Sequence, residues 1–166
     1  ANKQIWTIAY EDMWRDADFD FNDAVIRIVP DYENETCSIS LMAAGSTEKM
    51  YLHYDGPDGD QNLGEIHELF HQKVQTKVNT MSSFAIVPFV ELGNVAWPRN
   101  YTIADDAKRF YIEVRRGTCE NCGDLLTLPH EPGVMPQAIL VAGSWHWPKE
   151  GVDINTGYNL FSPWAM

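Results

Sequence analysis

Six acids crowd into thirteen residues near the start of the chain, Glu11, Asp12, Asp16, Asp18, Asp20 and Asp23, and Arg15 is the one basic side chain among them. Carboxylates this close raise one another's pKa unless positive charge sits between them, so the stretch calls for a cation. Asp18, Asp20 and Asn22 alternate with Phe19 and Phe21. On an extended backbone that spacing sends the oxygens to one side and the rings to the other. An all-oxygen donor set of carboxylates and an amide on an irregular segment suits Ca2+. It suits Mg2+ less, because Mg2+ demands a tight octahedron and keeps its waters, and Zn2+ less, because Zn2+ prefers nitrogen and sulfur. The expected ligands are the carboxylates of Asp18, Asp20 and Asp23, with Asn22, Glu11 and Asp12 as carbonyl, outer or additional ligands. Asp18-x-Asp20-x-Asn22 copies the opening of an EF-hand loop, but the sixth position is Asp23 rather than Gly and the twelfth is Val29 rather than Glu, so this is not an EF-hand. The competing reading is a solvated acidic loop. The interleaved Phe pair opposes it, because rings that must be buried pin the acids beside them.

A second motif carries a different chemistry. His67-Glu68-Leu69-Phe70-His71 matches H-E-x-x-H, in which two His one helical turn apart bind zinc and the Glu activates water. Glu91, twenty residues beyond His71, is where one class of zinc peptidase carries its third ligand. That ligand normally rides on a helix, whereas Glu91 ends an apolar, strand-like run with Gly93 beyond it. The other common continuation, a Gly and a third His after His71, is absent. An amphipathic helix with two His on its polar face is the expectation, and a zinc peptidase through His67, His71 and Glu91 is the alternative. A carbohydrate-binding module is a third reading, with Trp145 and Trp147 on one side of an extended segment as a sugar-stacking platform. Core packing is the expected use of both rings.

The remaining chemistry is modest. Cys119 and Cys122 form a lone C-x-x-C with no second pair to complete a zinc site, which reads as a local disulfide or two thiols in a turn. Cys37 lies among strand apolar positions and is expected to be an inert buried thiol. Asp55, Asp58 and Asp60 sit in a turn-rich loop that offers a second ion site, although Asp and Gly favour turns for backbone reasons alone.

The elements that position these groups follow from hydropathy. The chain has 166 residues, 45% of them apolar and 12% aromatic including six Trp, enough for the core of one domain over 1–166. A net charge of −12 opposes nucleic acid and anionic membrane surfaces as partners and favours divalent cations. No run of eighteen apolar residues and no basic-then-apolar leader are present, so a soluble chain, mature or excised, without membrane insertion is expected.

Residues 3–10 read as a strand delivering the chain into the acidic segment, and Ala24 to Val29 as the strand leaving it, stopped by Pro30. Thr36 to Ala43 alternates as a half-buried strand, and a Gly45-Ser46 turn leads to another carrying Met50, Leu52 and Tyr54. Leu63 to Lys73 predicts a helix. Phe84 to Val90 reads as an edge strand or a bulged one because of Pro88, Arg109 to Arg115 as a half-buried strand, and Ala138 to Val141 as a short apolar run. Ile154, Tyr158 and Phe161 are spaced for a last short helix. Many short strands with regular turns predict an all-β, antiparallel, jelly-roll-like β-sandwich with one or two short helices.

Several stretches taken together resemble the LruC domain, a module of bacterial surface and secreted proteins. They are Tyr10-Glu11-Asp12-x-Trp14 with Asp18-Phe19-Asp20-Phe21-Asn22-Asp23, similar to that family's D-Y-D-F-N-D; Gly64-Glu65-Ile66-His67-Glu68-Leu69-Phe70; Val78-Asn79-Thr80; and Pro136-Gln137-Ala138-Ile139, Trp145-His146-Trp147-Pro148-Lys149-Glu150 and Tyr158-x-x-Phe161-x-x-Trp164. The resemblance implies a sandwich-like surface module that binds calcium and is not an enzyme. The family has no His at the position of His71, which makes H-E-x-x-H accidental and implies a structural or ion-adjacent task for His67 and Glu68. Cys119-Glu-Asn-Cys122 departs from the family pattern. The expected setting is extracellular or the bacterial cell surface, where millimolar calcium fills weak sites. The expected work is adhesion or filament assembly, with a protein, a glycan or a second copy as partner.

Overall fold

A computed structural model describes residues 3–12, 20–80, 87–117, 123–128, 136–143 and 147. Nine strands are described: β1 (Trp6–Tyr10), β2 (Ala24–Asp31), β3 (Thr36–Ala43), β4 (Lys49–Gly56), β5 (Gly59–Glu65), β6 (Val90–Ala96), β7 (Phe110–Arg115), β8 (Gly123–Leu126) and β9 (Ala138–Ala142). Two one-turn helices join them, α1 (Ile66–Leu69) and α2 (Ile103–Asp106), the second running into a 3-10 turn over Ala107–Arg109. The strands form a five-stranded sheet, β6-β3-β2-β1-β9, and a four-stranded sheet, β5-β4-β7-β8, with every pairing antiparallel. This is the expected antiparallel sandwich. Among the described residues, no helix is long and apolar enough to cross a membrane.

Period-two alternation sets the core. Ile8, Tyr10, Ile26, Ile28, Ile39 and Leu41 face inward from one sheet and meet Met50, Leu52, Tyr54, Phe110, Ile112 and Val114 from the other, all 0–1% exposed. Aromatic rings fill one region of this layer, with Tyr54 stacked on Phe110 at 4.6 Å and Trp97 edge-on to Tyr101 at 5.4 Å. The buried Tyr10 hydroxyl needs a partner and donates across the sandwich to the Phe110 carbonyl at 3.0 Å. Burial holds that phenol well above its ordinary pKa. Cys37 is a buried thiol in the same layer, its pKa pushed up to about 12 by burial. The outer face of the five-stranded sheet carries a smaller cluster of Ala9, Phe21, Val25, Met42, Ala43 and Ile139, with Trp147 packed against it.

Four segments depart from the sequence reading. Pro30 does not stop β2, which runs to Asp31. Its partner β1 begins opposite Ile28, so beyond that point β2 pairs with β3 alone and proline's missing N–H breaks no ladder bond. The helix expected over Leu63 to Lys73 shrinks to Ile66–Leu69, because Leu63 is claimed by β5 and the chain leaves the helix at Phe70. Gly64, at φ +123, makes the bend that carries β5 into α1, with Leu69 carbons 3.2–3.3 Å from where a Cβ would lie. Residues 59–62, read as loop, continue the hairpin as the first half of β5. The edge strand expected up to Val90 instead starts there and runs to Ala96. Residues 84–86, Cys119, Cys122, Trp145 and the helix expected around Ile154 to Phe161 lie outside the described residues.

The two faces of the sheets differ in what a truncation costs. Ile26→Ala, at the centre of the sandwich, is expected to lower unfolding free energy by about 3 kcal/mol. Leu125→Ala, at 55% exposure, is expected to change it by less than about 0.5 kcal/mol. Urea unfolding of the two variants measures both.

Candidate metal centre

The β1–β2 ladder closes at the pair Tyr10 and Ala24, so Glu11 and Asp23 stand next to each other just past its end. The pairing continues through side chains. Asp23 Oδ2 accepts the Asp12 N–H at 2.7 Å, and Glu11 Oε2 accepts the Phe21 N–H at 3.1 Å. Phe21 takes a left-handed φ of 50°, a costly conformation for a bulky residue. It is held there by that bond and by burial of its ring in the outer cluster. The segment is thus kinked at Phe21 rather than extended, yet the consequence expected of the Phe–Asp alternation survives. The ring is buried, and Asp20 and Asn22 on either side of it are 0% exposed.

Glu11, Asp20 and Asp23 come together, with one carboxylate oxygen from each lying within 4.8 Å of the others. Glu11 is 1% exposed and Asp23 is half-buried. Two oxygens bound to one calcium at 2.3–2.6 Å lie at most about 5 Å apart, so the three oxygens fit a shared ion of that size. Without a cation, each ionised pair at this separation repels by roughly 3 kcal/mol at an effective dielectric of about 20. Asn22 and Asp23 are fixed from behind by the β3–β4 connection. The Asn22 carbonyl accepts from Gly45 N at 2.9 Å, and the Asp23 carbonyl from Gly45 N at 3.0 Å and Ser46 N at 3.4 Å. Among the expected ligands, Asp18 lies outside the described residues.

Asp12 turns away to another partner. Arg116, just past the end of β7 in the opposite sheet, grips both its oxygens at 2.6 and 2.5 Å and also reaches Asp124 at 3.1 Å. Burial alone would lower the guanidinium's pKa, but hydrogen bonds to Asp12 and Asp124 and their charge outweigh it and hold Arg116 above its ordinary value. The sequence reading counted only Arg15 against the acids. A cation 104 residues away carries no local signal.

The H-E-x-x-H residues do not form a site together. His71 lies past the end of α1, exposed and at a left-handed φ of 59°, so it does not share a helix face with His67. Glu91 is exposed on β6 and accepts from Ser40 Oγ at 2.9 Å. His67 is fully buried, with Nδ1 2.9 Å from Glu65 Oε2 and Nε2 2.7 Å from the Ser46 carbonyl oxygen. Both ring nitrogens are thus engaged, one by a carboxylate and one by a carbonyl. Glu65, 2% exposed, caps α1 by accepting from His67 N and Glu68 N and also accepts the Met50 N–H at 2.8 Å. Burial would raise its pKa, but these hydrogen bonds, led by that from His67, hold it below its ordinary value.

His67 therefore holds Ser46, whose own N–H holds Asp23. The importance of Ser46 was not legible in the sequence, because it acts through its backbone groups, and that of Glu65 was not, because three of its partners are backbone N–H groups.

The other candidates are engaged in structural contacts. Asn79, at φ 59°, spans two strand ends through Met42 O, Val87 O and Val87 N, and its carbonyl accepts the Trp147 indole N–H at 2.8 Å. Trp147 also meets Phe89 edge-on at 6.3 Å, so its ring is packing. Asp60 bonds to His53 at 2.8 Å and Tyr111 at 2.6 Å. Among the described residues, Asp55, Asp58 and Asp60 do not gather as Glu11, Asp20 and Asp23 do.

The Glu65–His67 pair has a pH consequence whose sign is fixed. The folded carboxyl lies below its ordinary 4.5, so the unfolded chain takes up the proton first as pH falls. The stability it supplies is present above 4.5 and is lost as pH drops through the folded value. Glu65→Gln is expected to cost about 3 kcal/mol at neutral pH, because it removes the buried carboxylate that accepts from His67 and from three backbone N–H groups, and to flatten the acid limb. Denaturant midpoints measured as a function of pH for the two proteins test both.

A model for a domain of unknown function, DUF4842, matches residues 130–166. Its described part includes β9, and the Gln137 carbonyl there accepts the Glu11 N–H at 2.8 Å, so the matched segment helps to position the acidic cluster. No curated protein and no solved structure matches the chain.

Proposed function

We propose that the chain is a non-enzymatic, calcium-binding β-sandwich module that works at the bacterial cell surface or outside the cell, in adhesion or surface-filament assembly. The observation that carries the calcium reading is the convergence of Glu11, Asp20 and Asp23 to within 4.8 Å at the end of the β1–β2 ladder. Those carboxylates are the ligands, with Asp18 joining them from the sequence pattern and Asn22 beside them. The ion's task is structural. It offsets the repulsion of buried like charges and fixes the junction between two adjacent strands of the five-stranded sheet. The surface setting and the partner, a protein, a glycan or a second copy, rest on the LruC resemblance and on the supply of calcium that weak sites need. A non-catalytic role is supported by His67, whose ring nitrogens are both engaged in holding Glu65 and Ser46.

Calcium is expected to raise the melting temperature of the chelator-treated protein by several degrees. Saturation at a hundred times Kd is worth about 2.7 kcal/mol, and magnesium at equal concentration should give less. Asp20→Asn, which keeps the shape and removes the charge, should melt at one temperature with or without calcium. Calorimetric melting of the wild-type chain at one temperature in chelator and in millimolar calcium would rule the reading out.

A further inference from the structure

A cleft of about 280 Å³ opens at the opposite end of the β1–β2 ladder from the acidic cluster, between the start of β1 and the β2–β3 hairpin. Its walls are of two kinds. Trp6, Tyr32 and Pro30 supply flat apolar surface, and Gln4, Glu33 and Asn34 supply polar side chains beside it. Tyr32 is 43% exposed, one of few large apolar side chains turned to solvent among the described residues. Trp6 is half-buried, packed on the main core while lining the cleft.

The hairpin that forms one wall is fixed, unlike an ordinary exposed turn. Asp31 Oδ1 accepts from Glu33 N and Asn34 N at 3.1 Å each, and its Oδ2 takes the Asn34 amide at 2.8 Å and Lys3 Nζ at 3.0 Å. From the far side, Arg99 donates to the Tyr32 and Glu33 carbonyls at 3.1 Å each. The hydrogen bonds from Asn34, aided by Lys3, hold Asp31 well below the usual carboxylate range, so this bracing persists across physiological pH. A braced turn presents its side chains without an ordering cost on binding.

The chemistry of the walls selects the ligand. Flat aromatic surface next to planar amide and carboxylate groups matches a molecule with an apolar C–H face and hydroxyls around its edge. The volume falls near the lower end of small-molecule sites, the size of one ring. Charge decides between sugars, because the Lys3–Asp31 pair in the wall cancels and leaves Glu33 and a net charge of −12 on the chain to repel an acidic one. We propose that this cleft is a binding subsite for one neutral sugar ring of a glycan, with Tyr32 and Trp6 against its C–H face and Gln4, Glu33 and Asn34 meeting its hydroxyls. The site is independent of the calcium reading and of Trp147, whose ring is packed elsewhere.

The test is titration of the full 15N-labelled chain with glucose, galactose, mannose, N-acetylglucosamine and their disaccharides, with glucuronate as the charged control. Amide and indole resonances are followed by NMR. The expected result is saturable shifts at Trp6 and in residues 31–34 with at least one neutral sugar, no saturation with glucuronate, and affinity roughly tenfold weaker in Tyr32→Ala, an exposed substitution that leaves the fold intact. Glu33→Gln should retain the shifts with a changed affinity. The proposal is overturned if no neutral sugar gives saturable shifts, if Tyr32→Ala binds as wild type, or if glucuronate binds as tightly as the neutral sugars.

Discussion

Like charges buried together repel, and the junction between β1 and β2 keeps oxygens of Glu11, Asp20 and Asp23 within 4.8 Å of one another. Much of the surrounding structure counters that repulsion. Two of the carboxylates accept backbone N–H groups of the same segment, from Phe21 and Asp12, which fixes their direction. The Phe21 ring, buried under the outer face of the sheet, holds a strained backbone conformation that an exposed residue would relax. Neither device supplies positive charge. Backbone dipoles lower the cost of a buried carboxylate, and on the proposed calcium reading the ion would supply the charge that neutralises the three.

The fold was legible in the sequence wherever one rule governed a segment. β3 alternates strictly, Cys37, Ile39, Leu41 and Ala43 against Ser38 and Ser40, and it spans the residues that alternation marks. Where two rules competed, the local one was misleading. Pro30 reads as a strand stop, but the reach of the neighbouring strand decides whether its missing N–H matters, and that is a property of the sheet. Leu63, Ile66, Leu69 and Phe70 share a helical face on paper. Pairing of Gly59–Glu65 with β4 takes the first of them, because a four-residue helix gains less from propagation than a hairpin gains from a ladder.

The site was partly legible for the same reason. The acids and the Phe between them are contiguous, and their mutual constraint can be read without knowing the fold. Arg116, Ser46 and Glu65 are not contiguous with them. Arg116 meets Asp12 only because β7 ends across the sandwich from the end of β1, and Ser46 matters through its N–H and carbonyl, which no side-chain pattern encodes. H-E-x-x-H illustrates the converse error. Its spacing is a statement about a helix, and the helix ends two residues before the second His.

The acidic segment is clamped to the opposite sheet at two separate points, one by an ion pair and the other by a chain of hydrogen bonds. Asp12 is held by Arg116 beyond the end of β7, while Asp23 is held through Ser46 by His67, whose ring is fixed by Glu65 at the end of β5. Apolar contact alone would allow the two sheets to slide, since it has no direction. Two directional anchors, one just past β7 and one in α1 at the end of β5, hold one sheet over the other at the edge where the carboxylates gather. A cation bound there would act on this arrangement as well as on its ligands. On the proposed calcium reading, neutralising Glu11, Asp20 and Asp23 would relieve the repulsion within the segment that both clamps hold in place.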